Sequence, residues 1–201
     1  MKDKVYRHSD TQHKFSAMND GDLLVCMAEG EHEAFDVFAE RYAAALNRLI
    51  YRLGFSGAEC EDMLQDILVH LWQKSMHWSR QKDISARSWI YRVATNLCID
   101  VQRKNKRQPA QAAVDIDVVP LHGVERSDFG HEQAQRSAHI ETALQTLPER
   151  ARQAVVLVYY QEMSNKEAAD AMGISVKAIE SLLVRGRKTL KKQLQKNREV
   201  I

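Results

Sequence analysis

The stretch Ser164–Leu190, SNKEAADAMGISVKAIESLLVRGRKTL, has the pattern of two helices joined by a tight turn. Ser164 and Glu167 have the Ser-x-x-Glu spacing of a capping box, in which two side chains satisfy the free amides at a helix start. Gly173 stands where such a turn requires a positive φ angle, which glycine adopts without strain. Ser175 can then cap the second helix. The stretch therefore predicts a helix-turn-helix.

One face of the predicted second helix carries polar and basic side chains. Lys177, Ser181, Arg185 and Lys188 follow each other at steps of four, four and three residues, so they share a stripe. Side chains placed in this way can reach base edges and phosphates from the major groove of DNA. The alternative is a helical hairpin whose cationic face is only solvated. The spacing and the run Arg185–Arg198, with seven bases and no acid, favour DNA binding.

The rest of the chain predicts an all-α protein of two small helical domains. Apolar residues recur at three- and four-residue steps in both halves, and only 3 prolines and 8 glycines occur in 201 residues. The segment that contains Pro109 and Pro120 lacks this periodicity and is typical of a flexible linker. We therefore expect an N-terminal extension, a first block, a linker and a second block, at residues 1–19, 20–105, 106–133 and 134–201.

Helix ends are also indicated by the sequence. Gly54 is expected to end the first helical segment, because glycine can take the left-handed cap conformation. Pro148 is expected to open a helix of the second block at its first turn, where a missing amide hydrogen has no consequence. The helices expected after Gly54 are at about Ala58–Lys74 and Ala86–Arg103, and from Pro148 to about Gln161.

Composition and charge limit the possible functions. The formal net charge is only +2, but Asp20–Asp66 holds eleven acids against three bases, in contrast to the basic end of the chain. No stretch is long and apolar enough for membrane insertion, and residues 1–19 lack the apolar segment of a secretory signal. Cys26, Cys60 and Cys98 are expected to be buried, reduced thiols in a cytoplasmic protein.

The sequence contains no motif of an enzyme or of a cofactor site. It has no phosphate-cradling glycine loop and no Gly-x-Ser-x-Gly motif. Asp66 and His70 are four residues apart, but none of the other 7 histidines forms a second pair with ligand spacing. We therefore expect neither catalysis nor a bound metal ion or cofactor.

Several motifs together resemble those of the extracytoplasmic-function sigma factors, the small promoter-reading subunits of bacterial RNA polymerase. The resemblance covers nearly all of Asp22–Leu194. Region 2 of that family is matched by Asp62–Trp72, DMLQDILVHLW, and by Trp89–Asp100, WIYRVATNLCID. Region 4 is matched by Leu147–Arg150, Ser164–Ala169, Gly173–Ser175 and Arg185–Arg187. These motifs occur in the family's order and are separated by the linker.

The resemblance implies two roles for the first block. The residues that would bind the clamp helices of core RNA polymerase are Asp62, Gln65, Asp66, Leu68 and Trp72. The residues that would bind the melted −10 element are His77, Trp78, Arg80, Trp89, Arg92, Asn96, Arg103 and Lys104. An acidic stripe beside an apolar ridge suits a basic partner, and single-stranded bases favour aromatic pockets with cationic walls. Trp89 is equally well interpreted as a core aromatic residue.

The resemblance assigns the −35 element to the helix-turn-helix. The residues implied are Ser175, Lys177, Glu180, Ser181, Arg185, Arg187 and Lys188. The core of this helix, Ala178–Leu183, reads AIESLL and departs from the commonest family pattern, Thr-Val-Lys-Ser-Arg-Leu. The −35 base sequence therefore cannot be carried over from the family.

The family resemblance implies an alternative sigma factor of the bacterial cytoplasm. Its expected partners are core RNA polymerase, promoter DNA and a cognate anti-sigma factor, without membrane insertion. Two other functions fit parts of the sequence. A helix-turn-helix regulator is one, because Ser164–Leu190 alone also resembles LuxR-type modules; such a protein would bind duplex operator DNA by itself. A helical adaptor without a nucleic-acid role is the other, but it leaves the region 2 motifs unexplained.

Overall fold

The computed structural model describes residues 14–78, 84–107 and 140–198, and in these ranges the chain is helical and contains no strand. The elements in chain order are α1 (Asp20–Ala28), α2 (His32–Leu53), α3 (Ala58–Ser75), α4 (Ala86–Arg107), α5 (Glu149–Val155), a π-helical turn (Val156–Tyr160), α6 (Asn165–Met172) and α7 (Val176–Arg198). Residues 140–145 are also helical. The predicted all-α class is confirmed. None of the described helices has the length and apolar character needed to cross a membrane.

Helix ends in the first block follow local chemistry. The Asn19 side chain caps α1 by accepting a hydrogen bond of 3.0 Å from the amide of Asp22. Helix α2 ends at Gly54, whose φ of 108° lies in the left-handed region, as predicted. The helical pattern before Gly54 belongs to two helices, because the chain turns at Gly30 with a φ of 89°.

Helix α4 is longer than the sequence indicated. Its expected end was near Arg103 and the linker was expected from residue 106, but the helix continues to Arg107. Lysine and arginine are good helix formers, and their charge is favourable at a helix C-terminus. The rest of the predicted linker and most of the N-terminal extension lie outside the described residues.

The second block contains an irregular turn that the sequence did not indicate. One α-helix was expected from Pro148 to about Gln161, but α5 starts at Glu149 and its continuation widens into the π-helical turn. π-helical turns are rare in proteins, and those that do occur are often found at functional sites. Glu162 follows with a φ of 52°, which is rare for a residue with a side chain, and the chain then enters α6.

A single hydrophobic cluster extends through both blocks. Phe38, Ile67 and Ile90 of the first block and Leu157 of the second are completely buried. Full burial of a side chain of this size contributes about 2 kcal/mol to stability. Helix α4 packs against α3 in its own block and, most extensively, against α6 of the second block. The two blocks are therefore in direct contact, and α4 is the main element between them.

Candidate nucleic-acid interface

The helix-turn-helix of the second block has the predicted caps. The Glu167 amide donates to Ser164 Oγ at 3.2 Å, and the Ser164 amide donates to the Glu167 carboxylate at 2.9 Å. The hydrogen bonds from the Ser164 amide and hydroxyl stabilise the carboxylate and lower the pKa of Glu167. Gly173 has a φ of 62° in the turn, and the Ala178 amide donates to Ser175 Oγ at 3.2 Å. Both helices of the motif therefore start at a side-chain cap.

The second helix of the motif, α7, presents its polar face to solvent. Ile179 and Leu183 are 0% and 5% exposed, which fixes the rotation of the helix about its axis. All residues assigned to the −35 element are exposed as a result: Ser175, Lys177, Glu180, Ser181, Arg185, Arg187 and Lys188. The structure therefore brings this predicted set together on one surface.

Val184 also belongs to this surface, although the sequence pattern alone did not single it out. Its side chain is 56% exposed. An apolar residue in an amphipathic helix is usually buried, so its exposure became visible only once the rotation of α7 was known. Val184 lies three residues after Ser181 and four before Lys188, so helical spacing places it in the same stripe as these two residues. A methyl group at this place can contact the methyl group of a thymine.

Gly186 determines how closely α7 approaches α5. A Cβ atom at this position would lie 2.8 Å from Cγ2 of Val155 and 3.8 Å from the backbone oxygen of Ala151. Real Cβ atoms do not come as close as the first of these distances, so a side chain at position 186 would push the helices apart. The glycine therefore allows the close packing of α7 against α5 at this position.

Helix α3 carries an exposed face that is both acidic and apolar. Asp62, Gln65 and Asp66, which were assigned to polymerase binding, are exposed along successive turns. Val69 and Met76 continue this face and are 49% and 74% exposed. These two apolar residues were not among those singled out from the sequence. Exposed apolar side chains beside charged ones are typical of a protein-binding surface.

The two larger apolar residues assigned to polymerase binding are only partly accessible. Leu68 and Trp72 are half-buried. The Trp72 ring stacks on the His32 ring with 5.2 Å between centroids and meets the Phe35 ring edge-on at 5.3 Å. Trp72 therefore fixes α3 to the start of α2 and offers a partner only part of its ring.

The residues assigned to the −10 element do not form one exposed surface. The exposed members are His77, Asn96, Arg103 and Lys104, the half-buried ones are Trp78 and Arg92, and Arg80 lies outside the described residues. Trp89 is 9% exposed, and its ring centroid lies 5.6 Å from that of Trp78. In this arrangement Trp89 offers a base little of its ring, which favours its alternative interpretation as a core aromatic residue. Its ring is part of the core and contacts the Trp78 ring.

Two arginines of this set contact the second block. The Arg92 guanidinium lies at the turn of the helix-turn-helix, where a Cβ atom on Gly173 would be 2.8 Å from Nη2. Arg103 forms an ion pair of 3.6 Å with Glu149 of α5. Cations expected to face DNA are therefore directed, in this arrangement, toward the other half of the protein.

The three cysteines lie in the described part of the chain, and no metal site forms there. Among residues 14–78, 84–107 and 140–198, no group of histidine, cysteine and acidic side chains is arranged to hold a metal ion. Cys60 and Cys98 are buried free thiols, and burial raises their pKa to about 11 and about 12. Cys26, which was expected to be buried, is half-buried.

Comparison with known proteins assigns a family to each block. Sigma-70 region 2 matches residues 38–108, and Sigma-70, region 4 matches residues 138–190. The ECF RNA polymerase sigma factor SigE of Mycolicibacterium smegmatis is 27% identical over 165 residues, which are 82% of this chain and 63% of SigE. The ECF sigma factor SigM of Mycobacterium tuberculosis is 28% identical, over 88% of this chain and 85% of SigM.

A solved structure has the same fold. The structure of CnrH in complex with the cytosolic domain of CnrY has a TM-score of 0.66 at 24% identity, and the match covers 88% of this chain and 97% of CnrH. Regions 2 and 4 thus occur in the family's order within one chain, and SigE and SigM, which match more than four fifths of this chain, are ECF RNA polymerase sigma factors. This chain therefore belongs to the sigma-70 family, in its extracytoplasmic-function group.

Proposed function

We propose that this chain is an alternative sigma factor, which binds core RNA polymerase and directs it to a specific class of promoter. It is a transcription factor and not an enzyme. The observation that carries the proposal is the combination, in one chain, of an exposed acidic and apolar face on α3 with an exposed basic face on α7. An initiation factor requires two such surfaces, one for the polymerase and one for the promoter.

The α3 face is the proposed polymerase-binding surface. Asp62 and Asp66 give it a negative charge that would attract the basic surface of a helical partner. Val69 and Met76 supply apolar contact area next to these charges. Binding energy in protein interfaces is concentrated in a few apolar or aromatic anchors surrounded by polar groups. The proposed partner is the pair of clamp helices in the largest polymerase subunit.

Helix α7 is the proposed reader of the −35 element. Lys177, Arg185 and Lys188 would contact phosphates or guanine edges, and Ser181 can bond to any base. Val184 lies between these polar side chains and would favour a thymine. The position of Glu180 on the exposed face fits a contact with the amino group of a cytosine.

The surface around Trp78 and Asn96 is the proposed site for the melted −10 element. His77 and Asn96 are exposed and can form hydrogen bonds with an unstacked base, while Trp78 can stack on it. Arg103 and Lys104, on the basic end of α4, would hold the phosphate backbone. Trp89 takes part indirectly, because it supports the Trp78 ring.

Regulation by an anti-sigma factor is part of the proposal. CnrH, which has the same fold, was solved in complex with the cytosolic domain of CnrY. The exposed apolar and acidic α3 face of this chain is the surface that such a regulator would cover while the factor is idle. We further propose that the protein acts in the bacterial cytoplasm, where its polymerase and promoter partners are found.

Run-off transcription tests the proposed function. Core RNA polymerase would be combined with fragmented DNA from the source organism, with and without the purified full chain. New discrete transcripts that depend on the chain are expected, and their start sites would define both promoter elements. If the core polymerase does not bind the chain, and the chain alone shifts duplex DNA, the protein is a helix-turn-helix regulator instead.

A further inference from the structure

Trp72 lies at the centre of the proposed polymerase-binding surface of α3. It follows Val69 by three residues and precedes Met76 by four, so helical spacing places these side chains in one stripe. Val69 and Met76 are 49% and 74% exposed, whereas Trp72 is half-buried and packs against the core. The Trp72 ring therefore joins the apolar stripe to the core, and the part of it that a partner can contact depends on its orientation.

Two rings at the start of α2 restrict the orientation of the Trp72 ring. The His32 ring is nearly parallel to it, with 5.2 Å between the ring centroids and 10° between the ring planes. The Phe35 ring meets it edge-on, with 5.3 Å between the centroids and 77° between the planes. Both are favourable arrangements of aromatic pairs. Because one neighbour is parallel to the indole and the other nearly perpendicular, rotation of the Trp72 side chain would break at least one of these contacts.

His32 differs from Phe35 in its surroundings. Phe35 is half-buried and packs against the core, whereas His32 is exposed at the first position of α2. Substitution of an exposed residue normally changes stability little, and alanine is a good helix former at such a position. Removal of the His32 ring can therefore free the Trp72 ring while the block stays folded.

We infer that His32 is a positioning residue for polymerase binding, whose ring holds Trp72 in the orientation that continues the surface of Val69 and Met76. This inference deepens the proposed function and rests on it, since core RNA polymerase is the proposed partner of this face. Binding energy in interfaces is concentrated in a few anchors, among which tryptophan is frequent. An anchor that is held in place before binding loses less conformational freedom when the partner docks. The stack on His32 thus prepares Trp72 for binding.

The strength of the stack sets the size of the expected effect. A partner that binds one orientation of Trp72 has an apparent affinity reduced by the fraction of protein in that orientation. An aromatic pair of this kind corresponds to roughly a three- to tenfold change in an equilibrium constant. His32→Ala should therefore lower the affinity for core polymerase about three- to tenfold. His32→Phe keeps a ring at this position and should bind within about twofold of wild type.

Fluorescence anisotropy of the labelled full chain with core polymerase measures these affinities. A double-mutant cycle with Trp72→Leu separates a positioning role from direct contact with the polymerase. If His32 acts through Trp72, His32→Ala should have no further effect in the Trp72→Leu background. Glu40→Ala, a truncation at another exposed position of α2, is the control and should bind like wild type. Trp72→Met takes the place of Trp72→Leu if circular dichroism shows that the leucine variant loses helix content.

Fluorine NMR of the free chain reports the state of the ring itself. The chain contains 3 tryptophans, so labelling with 5-fluorotryptophan should give one resonance for each, and Trp72→Leu identifies that of Trp72. In His32→Ala this resonance alone should show a larger shift between light and heavy water, because loss of the stack exposes the ring to solvent. In His32→Phe the wild-type value should be kept. A general loosening of the fold would instead change all the tryptophan resonances.

The outcomes separate this inference from the proposed function. If core polymerase binds wild type and His32→Ala equally well, or if the Trp72 resonance is the same in both, His32 does not position the ring and the inference is wrong. If His32→Ala weakens binding equally in the Trp72→Leu background, His32 contacts the polymerase itself, and the positioning role is again overturned. If the wild-type chain does not bind core polymerase at all, the proposed function fails and the inference fails with it.

Discussion

The guanidinium of Arg92 lies against Gly173, so that a Cβ atom at position 173 would be 2.8 Å from Arg92 Nη2. The two residues belong to different blocks: Arg92 is on α4, and Gly173 forms the turn of the helix-turn-helix. Gly173 also has a φ of 62°, which side-chain-bearing residues rarely adopt. Position 173 is therefore restricted both by its own backbone conformation and by a neighbour from the other block.

Gly173→Ala should lower the free energy of unfolding by about 1–2 kcal/mol from backbone strain, because the flexible Arg92 side chain can move away from the added Cβ atom. Gly30→Ala is the control, because Gly30 has a φ of 89° but a Cβ atom there would have no neighbour within 4 Å. Urea denaturation of both variants, each with and without Arg92→Ala, separates backbone strain from the contact with Arg92. Gly173→Ala should lose the same stability whether position 92 carries arginine or alanine; a smaller loss with alanine would show that the Arg92 side chain cannot move away from the added Cβ atom.

Gly186→Ala should destabilise the protein, although alanine is usually better than glycine in a helix by about 1 kcal/mol. The added methyl group would lie 2.8 Å from Val155 Cγ2, and overpacking of this kind costs about 1–3 kcal/mol. Val155→Ala removes the clashing methyl groups, so the double variant should recover the helix gain relative to Val155→Ala alone. Thermal or urea unfolding measures the four proteins. If Gly186→Ala alone is more stable than wild type, the packing between α5 and α7 accommodates a Cβ atom at this position.

Asp66→Arg should weaken binding to core RNA polymerase at least tenfold while the helix content stays unchanged. Asp66 is exposed on the proposed polymerase-binding face of α3, so the change reverses a charge there without disturbing the core. Glu40→Arg makes the same kind of change at an exposed position of a different helix, α2, and should bind normally. Fluorescence anisotropy of labelled chain with core polymerase gives both affinities. Equal binding by the two variants would remove Asp66 from the interface.

The combined change of Lys177 and Arg185 to alanine should weaken promoter binding by the polymerase holoenzyme without affecting assembly with core. Removing a base-specific interaction should cost about 1–3 kcal/mol, whereas removing a phosphate interaction should lower the salt-dependence slope by about one unit. The combined change of Lys14 and Lys74 to alanine, two exposed lysines outside the second block, controls for the loss of two positive charges. Filter binding at several salt concentrations distinguishes the two kinds of interaction. An unaltered slope and affinity would exclude both residues from the −35 site.

Glu167→Gln should make the stability of the second block less dependent on pH. The folded-state pKa of Glu167 is lowered by its hydrogen bonds with Ser164, so its contribution is present above the unfolded pKa and is lost as the pH falls through the folded value. The free energy of unfolding of the wild type should therefore exceed that of the variant near pH 6, and this difference in stability should shrink below about pH 4. Urea unfolding at several pH values between about 4 and 6 measures this difference, with Glu40→Gln as the control variant. A difference independent of pH would contradict a role for the ionised cap.

Much of the fold was predictable because it depends on residues close together in the sequence. The capping box joins Ser164 to Glu167, and Gly54 ends α2 through its own backbone conformation. The exposed stripe from Lys177 to Lys188 follows from helical spacing once the buried positions are known. The motifs of regions 2 and 4 likewise carry their own local pattern, and they indicated the family before any tertiary contact was known.

The tertiary structure decided which of the predicted residues are accessible. A helical pattern gives the spacing of apolar residues, but it does not say whether Trp89 faces the core or a DNA base, nor that Val184 faces solvent. These outcomes depend on how each helix is rotated against its neighbours.

The sequence by itself thus determined the all-α class, the caps of the helix-turn-helix and its basic face, because each arises from interactions within a few residues. Only the tertiary structure could bring Tyr91 to Gln161, 70 residues away, and Arg92 to Gly173. Each of these contacts joins surfaces of two different blocks, so neither local pattern contains information about its partner. The direct contact between the blocks, where only a linker was expected, is therefore a property of packing and not of any single segment.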